Sequence, residues 1–152
     1  MSYLPIMNPQ FIEEIRSFNR FYTTIIGLVN DHILNSDYSL PEARILFELD
    51  HHPGLTASDL IGMLGMDKGY LSRILRRFEE RKLVSRVESA ADRRMVTLAL
   101  TAKGKKEFGL LNRASDEQVV VAFKNLSEKD GEQLVEKMIE IRRIITKNNV
   151  LL

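Results

Sequence analysis

Cysteine does not occur in the 152 residues, which excludes disulfides, thiolate metal sites and thiol-based redox sensing and is compatible with a reducing cytoplasm. No run of apolar residues approaches the ~18 that a membrane span requires, and no charged segment leads into an apolar one at the N-terminus. A soluble, cytoplasmic protein without membrane contact is expected. Internal repeats, low-complexity linkers and Pro-rich hinges are missing as well. A chain of this length suits one domain, or a small head on a helical scaffold, burying roughly 70% of its unfolded surface.

Groups for catalysis or metal binding are equally scarce. Histidine occurs only as His32, His51 and His52, and the adjacent pair stands before Pro53-Gly54 in the manner of a helix end, not of a ligand pair. Glu13-Glu14 and Glu79-Glu80 are neighbours on helical stretches, so their carboxylates diverge instead of forming an acid/base pair. No catalytic residue, metal or cofactor is expected.

What is present is charge, unevenly placed. The formal net charge is +1, yet residues 66 to 106 hold 12 Lys and Arg against 5 Asp and Glu, a local +7 that leaves −6 for the rest. Charge alone is equally well a solvated surface; a polyanion site requires that the cations share a face.

Met1 to Asn8 reads as an extended arm, and Pro9 fits a first helical turn, where no donor is lost. From Gln10 to about Leu34 the residues Phe11, Ile12, Ile15, Phe18, Phe21, Tyr22, Ile25, Ile26, Val29 and Ile33 recur at helical spacing over more than one face. A helix apolar over so wide an arc must bury two sides, as the cover for a second subunit or as the centre of a monomer. Ser39-Leu40-Pro41-Glu42 is a capping box for a short helix to about Asp50, ended by His51-His52-Pro53-Gly54. Thr56-Ala57-Ser58-Asp59 opens another, Leu60 to Leu64, and Gly65 breaks it just before Asp67 caps a third. Two short helices joined by a tight Gly-containing turn form a helix-turn-helix, whose second helix reads DNA.

In that second helix Leu71, Ile74, Leu75 and Phe78 fall in one apolar sector, while Gly69, Ser72, Arg73, Arg76, Arg77 and Glu80 face the opposite way, with Lys68 and Tyr70 at the flanks. Gly69 costs about 1 kcal/mol relative to Ala; a close approach to DNA and a plain helix-start glycine both account for it. After Leu83, Val84, Arg86 and Glu88 alternate with Ser85, Val87 and Ser89, and Val96, Leu98 and Leu100 alternate on the return strand, around the tip Ser89-Ala90-Ala91-Asp92-Arg93-Arg94. The fold class expected is mainly α with a small β-hairpin wing, a winged helix-turn-helix head. Thr101 then caps a helix running past Phe108, Leu111 and Ala114 to Phe123, and a last helix, about Glu128 to Lys147, carries Leu134, Val135, Met138, Ile141 and Ile145 on one stripe.

The Asp67 helix, the Asp92-Arg93-Arg94 wing and Leu100-Thr101-Ala102-Lys103-Gly104, in that order and spacing, resemble the MarR family of winged-helix regulators. That family shows Asp-x-Arg in its wing and begins its next helix with Leu-Thr-x-x-Gly. The resemblance implies a single MarR-like domain over 1–152, with a DNA-binding head at 39–100 and dimerisation helices at 9–34 and 101–149. It implies a homodimeric transcriptional regulator of double-stranded DNA, read here as a repressor of a near-palindromic site with half-sites ~34 Å apart. Stretches such as Tyr38-Ser39-Leu40-Pro41-Glu42-Ala43-Arg44 look like the regulator half of MarR–GNAT acetyltransferase fusions. The sequence stops at Leu152 and lacks the pyrophosphate loop, so no acetyltransferase activity is carried over. The alternative is an interaction module for a separately encoded acetyltransferase. Without cysteine, the family's thiol-based peroxide sensing is excluded.

For DNA contact the candidates are Lys68, Gly69, Tyr70, Ser72, Arg73, Arg76 and Arg77 in the helix, and Arg86, Asp92, Arg93 and Arg94 in the wing. Arg73 lies mid-face, where Arg pairs bidentately with guanine. Arg94 matches the family's minor-groove arginine and Asp92 the acid expected to orient its guanidinium. Arg93 and Arg86 are expected on phosphate, with Lys103, Lys105 and Lys106 extending the field. Relatives often respond to small aromatic or anionic effectors held between dimer helices and head, for which Arg16, Tyr22, Arg44 and His51 are the polar candidates here.

Overall fold

A computed structural model describes residues 8–30, 36–88, 92 and 94–148. The arm before Asn8, the end of the first helix beyond Asn30 with His32, most of the wing tip and Arg93 lie outside the described residues.

The described residues form α1 (Pro9–Asn30), α2 (Leu40–His51), α3 (Ala57–Leu64), α4 (Lys68–Glu80), β1 (Val84–Glu88), β2 (Val96–Leu100), α5 (Ala102–Ala122) and α6 (Glu128–Lys147). The architecture is the expected one, mainly helical with one hairpin. Each helix of the head starts on a side chain that satisfies an orphan amide. Ser39 and Glu42 close a reciprocal capping box at α2, and Thr56 and Asp59 do the same at α3. Asp67 accepts from the Tyr70 amide at 2.9 Å to start α4. Gly65, at φ 60°, ends α3 in the left-handed conformation and so makes the tight turn between the two helices.

α4 ends at Glu80 in a reversal of the chain. Lys82 is left-handed, at φ 59°. The Leu83 amide donates back to the Phe78 carbonyl at 2.8 Å and the Lys82 amide to Glu79 at 2.9 Å. This reversal plants Leu83 in the core, fully buried, and sends the chain into β1.

The core lies inside the head. Ile45 and Leu46 from α2, Leu60 from α3, Leu71, Ile74, Leu75 and Phe78 from α4, and Leu98 from β2 are essentially fully buried, with Phe108 and Leu111 of α5 closing one side. β1 and β2 pair antiparallel, Val84 opposite Leu100 and Glu88 opposite Val96. The Leu98 amide donates to the Leu55 carbonyl at 2.8 Å, so the turn before α3 lies along the outer edge of β2, a contact the strand pattern did not reveal. Only the base of the hairpin reaches the core: Val84, Leu98 and Leu100 are buried, whereas Val87, Met95 and Val96 are exposed. The expected apolar face of the wing therefore ends halfway along it, because the strands outrun the helices beneath them.

α5 docks on the head by a close backbone approach. Gly104 lies against the Leu83 carbonyl, and a Cβ built there would sit 2.0 Å from that oxygen. The Thr101 amide donates to the same oxygen at 2.9 Å, while the Thr101 hydroxyl donates to the Lys82 carbonyl at 2.6 Å. Farther from the head the cover thins out: α6 has no buried residue over its 20 positions.

Candidate nucleic-acid interface

The basic helix is split as the sequence pattern demands. Leu71, Ile74, Leu75 and Phe78 hold one side of α4 in the core, so Lys68, Gly69, Ser72, Arg73, Arg76 and Arg77 must face solvent, and they do, together with Tyr70. Arg73 is in no ion pair among the described residues; its guanidinium lies 5.8 Å from the Tyr70 ring centroid. Gly69 makes room for the helix cap, since a Cβ there would come 3.2 Å from the Asp67 carboxylate and 3.7 Å from the Arg73 guanidinium.

The remaining arginines are engaged to different degrees. Arg76 pairs with Glu80 one turn on, at 3.1 Å and well exposed, a contact of small energy that polyanion binding easily displaces. Arg77 reaches the buried carboxylate of Glu42 at 2.9 Å, which ties α4 to the start of α2. Arg86 on β1 meets Glu79 of α4 at 2.5 Å, holding the hairpin beside the helix. Both were read from the sequence as surface cations, and pattern alone gives no sign of these acids, 35 and 7 residues away in the chain.

At the wing, the Asp92 carboxylate accepts from the Arg94 amide at 2.9 Å. It thus orients the Arg94 backbone, not the guanidinium as expected, because an Asp two residues before an amide closes a local turn most readily. Arg94 itself is exposed and in no ion pair among the described residues. Lys103, expected to extend the positive field, donates to the Arg81 carbonyl at 2.9 Å and so caps the end of α4; Lys105 and Lys106 are exposed. Arg81 was not a candidate at all. It donates to the Tyr38 hydroxyl at 2.9 Å and lies 3.4 Å from Glu107.

The four residues proposed for a small ligand do not converge. Arg44 lines a cavity of about 480 Å³ between α2, α3 and α5, with Phe47, Met63, Phe108, Asn112 and Ser115. Its guanidinium is held by the buried Glu48 at 2.7 Å. His51 stacks on Phe47 at the border of that cavity, its ring 4.0 Å away. Tyr22 belongs elsewhere, to a cleft of about 410 Å³ between α1 and α6 with Phe18, Met138 and Arg142. Arg16 is exposed on α1 and lines neither. Among the described residues no group of three His, Asp or Glu side chains is placed to hold a metal ion, and no helix is long and apolar enough to cross a membrane.

A winged helix-turn-helix with a basic reading helix, carried by long helices from both ends of the chain, defines a class of DNA-binding proteins. Residues 36–95 match the sequence model of the MarR family. An uncharacterised HTH-type transcriptional regulator of Bacillus subtilis, YfiV, is 28% identical over 109 residues, 72% of this chain and 68% of its own. Wild-type MarR from E. coli, in its apo form, superposes with a TM-score of 0.70 at 19% identity over 92% of this chain and 98% of that one. S. aureus MepR bound to ethidium bromide superposes with a TM-score of 0.60 at 22% identity, over 91% and 97%. The head of the chain is thus similar in sequence to the MarR family and to an HTH-type transcriptional regulator, and its fold is that of the MarR structures.

Proposed function

We propose that the protein is a homodimeric repressor that binds a near-palindromic operator, one α4 in each of two successive major grooves and one wing on each flanking minor groove. The observation that carries this is the face of α4: Lys68, Tyr70, Ser72 and Arg73, the last in no ion pair among the described residues, point outward from a helix whose other side is fixed in the core. Arg73 is assigned to base edges, Arg94 to the minor groove, and Arg76, Lys68 and Arg93 to phosphate. Gly69, Tyr70 and Ser72 line the same contact, and Asp92 serves it by shaping the turn that presents Arg94. Arg77 and Arg86 act mainly by fixing α4 and the hairpin to their neighbours.

Dimerisation is supported by the apolar surface that the single chain leaves open. Phe11, Ile15, Phe18 and Phe21 on α1, Val120 and Val121 on α5, and Ile139, Ile141, Ile144 and Ile145 on α6 are all exposed. Patches of that extent mark interfaces. The head at 39–100 and the scaffold at 9–34 and 101–149 are then one functional domain. A cytoplasmic, non-enzymatic protein fits this reading.

The effector, in this proposal, enters the cavity beside Arg44. Its walls are apolar and aromatic with Asn112 and Ser115 as polar points, which suits a small flat molecule, and an anionic one would compete with Glu48 for Arg44. MepR, whose fold is similar, holds the planar cation ethidium. Thermal shift against phenols and aromatic carboxylates tests it; no stabilisation and no DNA release by any of them leaves a constitutive binder. The adaptor reading, a partner for a separately encoded acetyltransferase, is less favoured because an outward basic reading helix has no use in it.

Fluorescence anisotropy on duplexes from the chain's own upstream region, or selected from a random pool, is the direct test. Arg73→Ala and Arg94→Ala should each weaken binding by about 1 to 3 kcal/mol, and affinity should fall steeply with salt. Unchanged affinity in either variant removes that arginine from the interface.

A further inference from the structure

We propose that Tyr38, Arg81 and Glu107 are positioning residues for DNA recognition, a polar joint that sets the pitch of α4 against the scaffold helix α5. Three separate parts of the chain meet there. Tyr38 lies just before α2, Arg81 is the C-cap of α4 and Glu107 is on the second turn of α5. The Tyr38 hydroxyl donates to Glu107 Oε2 and accepts from Arg81 Nη2 at 2.9 Å, while Arg81 and Glu107 stand 3.4 Å apart. The Arg81 guanidinium also lies over the Tyr38 ring, 4.8 Å from its centroid, and the ring's edge packs on Phe78 in the core. Tyr38 is buried as a residue, and its hydroxyl has both of these partners. The Arg81 carbonyl is taken by Lys103 of α5. By charge alone Arg81 and Lys103 would count toward phosphate binding. Their geometry spends them on the joint.

The position makes the joint consequential. Arg81 is eight residues beyond Arg73, about 12 Å along the helix, so a swing of about 5° around that end displaces the reading side chain by about 1 Å, more than base-edge hydrogen bonds tolerate. Gly104 on the Leu83 carbonyl is the pivot beneath it. Since α5 belongs to the proposed dimer scaffold, the joint also fixes where the two reading helices lie relative to each other. This rests on the DNA-binding reading above.

The test uses the full-length protein and duplexes that it selects from a randomised pool. Tyr38→Phe removes one hydroxyl and keeps the ring on Phe78 and under Arg81. It should weaken the selected duplex about three- to tenfold, as loss of a hydrogen bond in this network does. The slope of log affinity against log salt should stay as in wild type, because no phosphate contact is lost. Preference for the selected half-site spacing over spacings one base pair longer or shorter should flatten. Glu107→Gln should behave alike, and the double variant should lose less than the sum of the two. Tyr38→Phe that only lowers unfolding stability, with affinity and spacing preference intact, overturns the proposal. So does an Arg81→Ala variant whose salt slope falls by about 1 per protomer, the mark of a phosphate contact. If the wild-type protein selects no duplex, the DNA-binding reading itself falls, a separate and distinguishable result.

Discussion

At position 104 one hydrogen atom decides how a helix meets the head. An alanine Cβ would fall 2.0 Å from the backbone oxygen of Leu83, and backbone cannot move aside as the tip of a side chain can. Gly104→Ala is therefore expected to destabilise the fold by about 1 to 3 kcal/mol, the range for overpacking a close contact, measured by urea unfolding. A variant as stable as wild type would mean that α5 shifts freely. The resemblance that rests on Leu100-Thr101-Ala102-Lys103-Gly104 thereby acquires a physical cause: Thr101 caps α5 and Gly104 lets it touch the end of α4. Single residues of this kind are legible as pattern before they are legible as cause. Arg81 shows the reverse, because its partners are 43 and 26 residues away, and no local signal distinguishes it from its solvent-facing neighbours.

Elements were legible where a local rule fixes them. The capping boxes Ser39/Glu42 and Thr56/Asp59, the Gly65 turn and the apolar sector of α4 all follow from residues within one or two helical turns of each other. The wing was less so, since alternation predicts two faces but not how far the helices beneath extend. The α3 cap also carries a pH dependence. The Asp59 carboxyl is held below the usual carboxylate range, first by the Thr56 amide and then by the Thr56 hydroxyl, each at 2.7 Å. A depressed carboxyl contributes stability above its unfolded pKa and loses it as pH falls through the folded one. The advantage of wild type over Asp59→Asn in urea midpoint should accordingly be present at neutral pH and shrink toward zero in acid. A difference that persists unchanged at low pH would refute this account of the cap.

For the whole molecule, the core of the head and the bareness of the scaffold belong together. The winged-helix head closes around Phe78 and Leu98 with Phe108 and Leu111 of α5, whereas α6 buries none of its residues against the other described residues. Most of a helix's stability in a protein comes from packing of its amphipathic face. The wide apolar arc of α1 gave notice of this in the sequence; which copy-to-copy contacts follow was not readable there, because the geometry between two chains leaves no periodicity in one. In the proposed dimer, scaffold and association form together, so the unfolding midpoint should rise with protein concentration. Ile139→Glu with Ile144→Glu should yield a species of half the mass by analytical ultracentrifugation while Phe78 and its neighbours stay packed. A double variant that still sediments as wild type would place the interface elsewhere. If the proposed dimer forms, the bare face of α6 has a consequence for the cell: a regulator whose scaffold is completed by its twin would respond to its own copy number, and operator occupancy would climb more steeply than dosage until the pool of chains is large enough to pair.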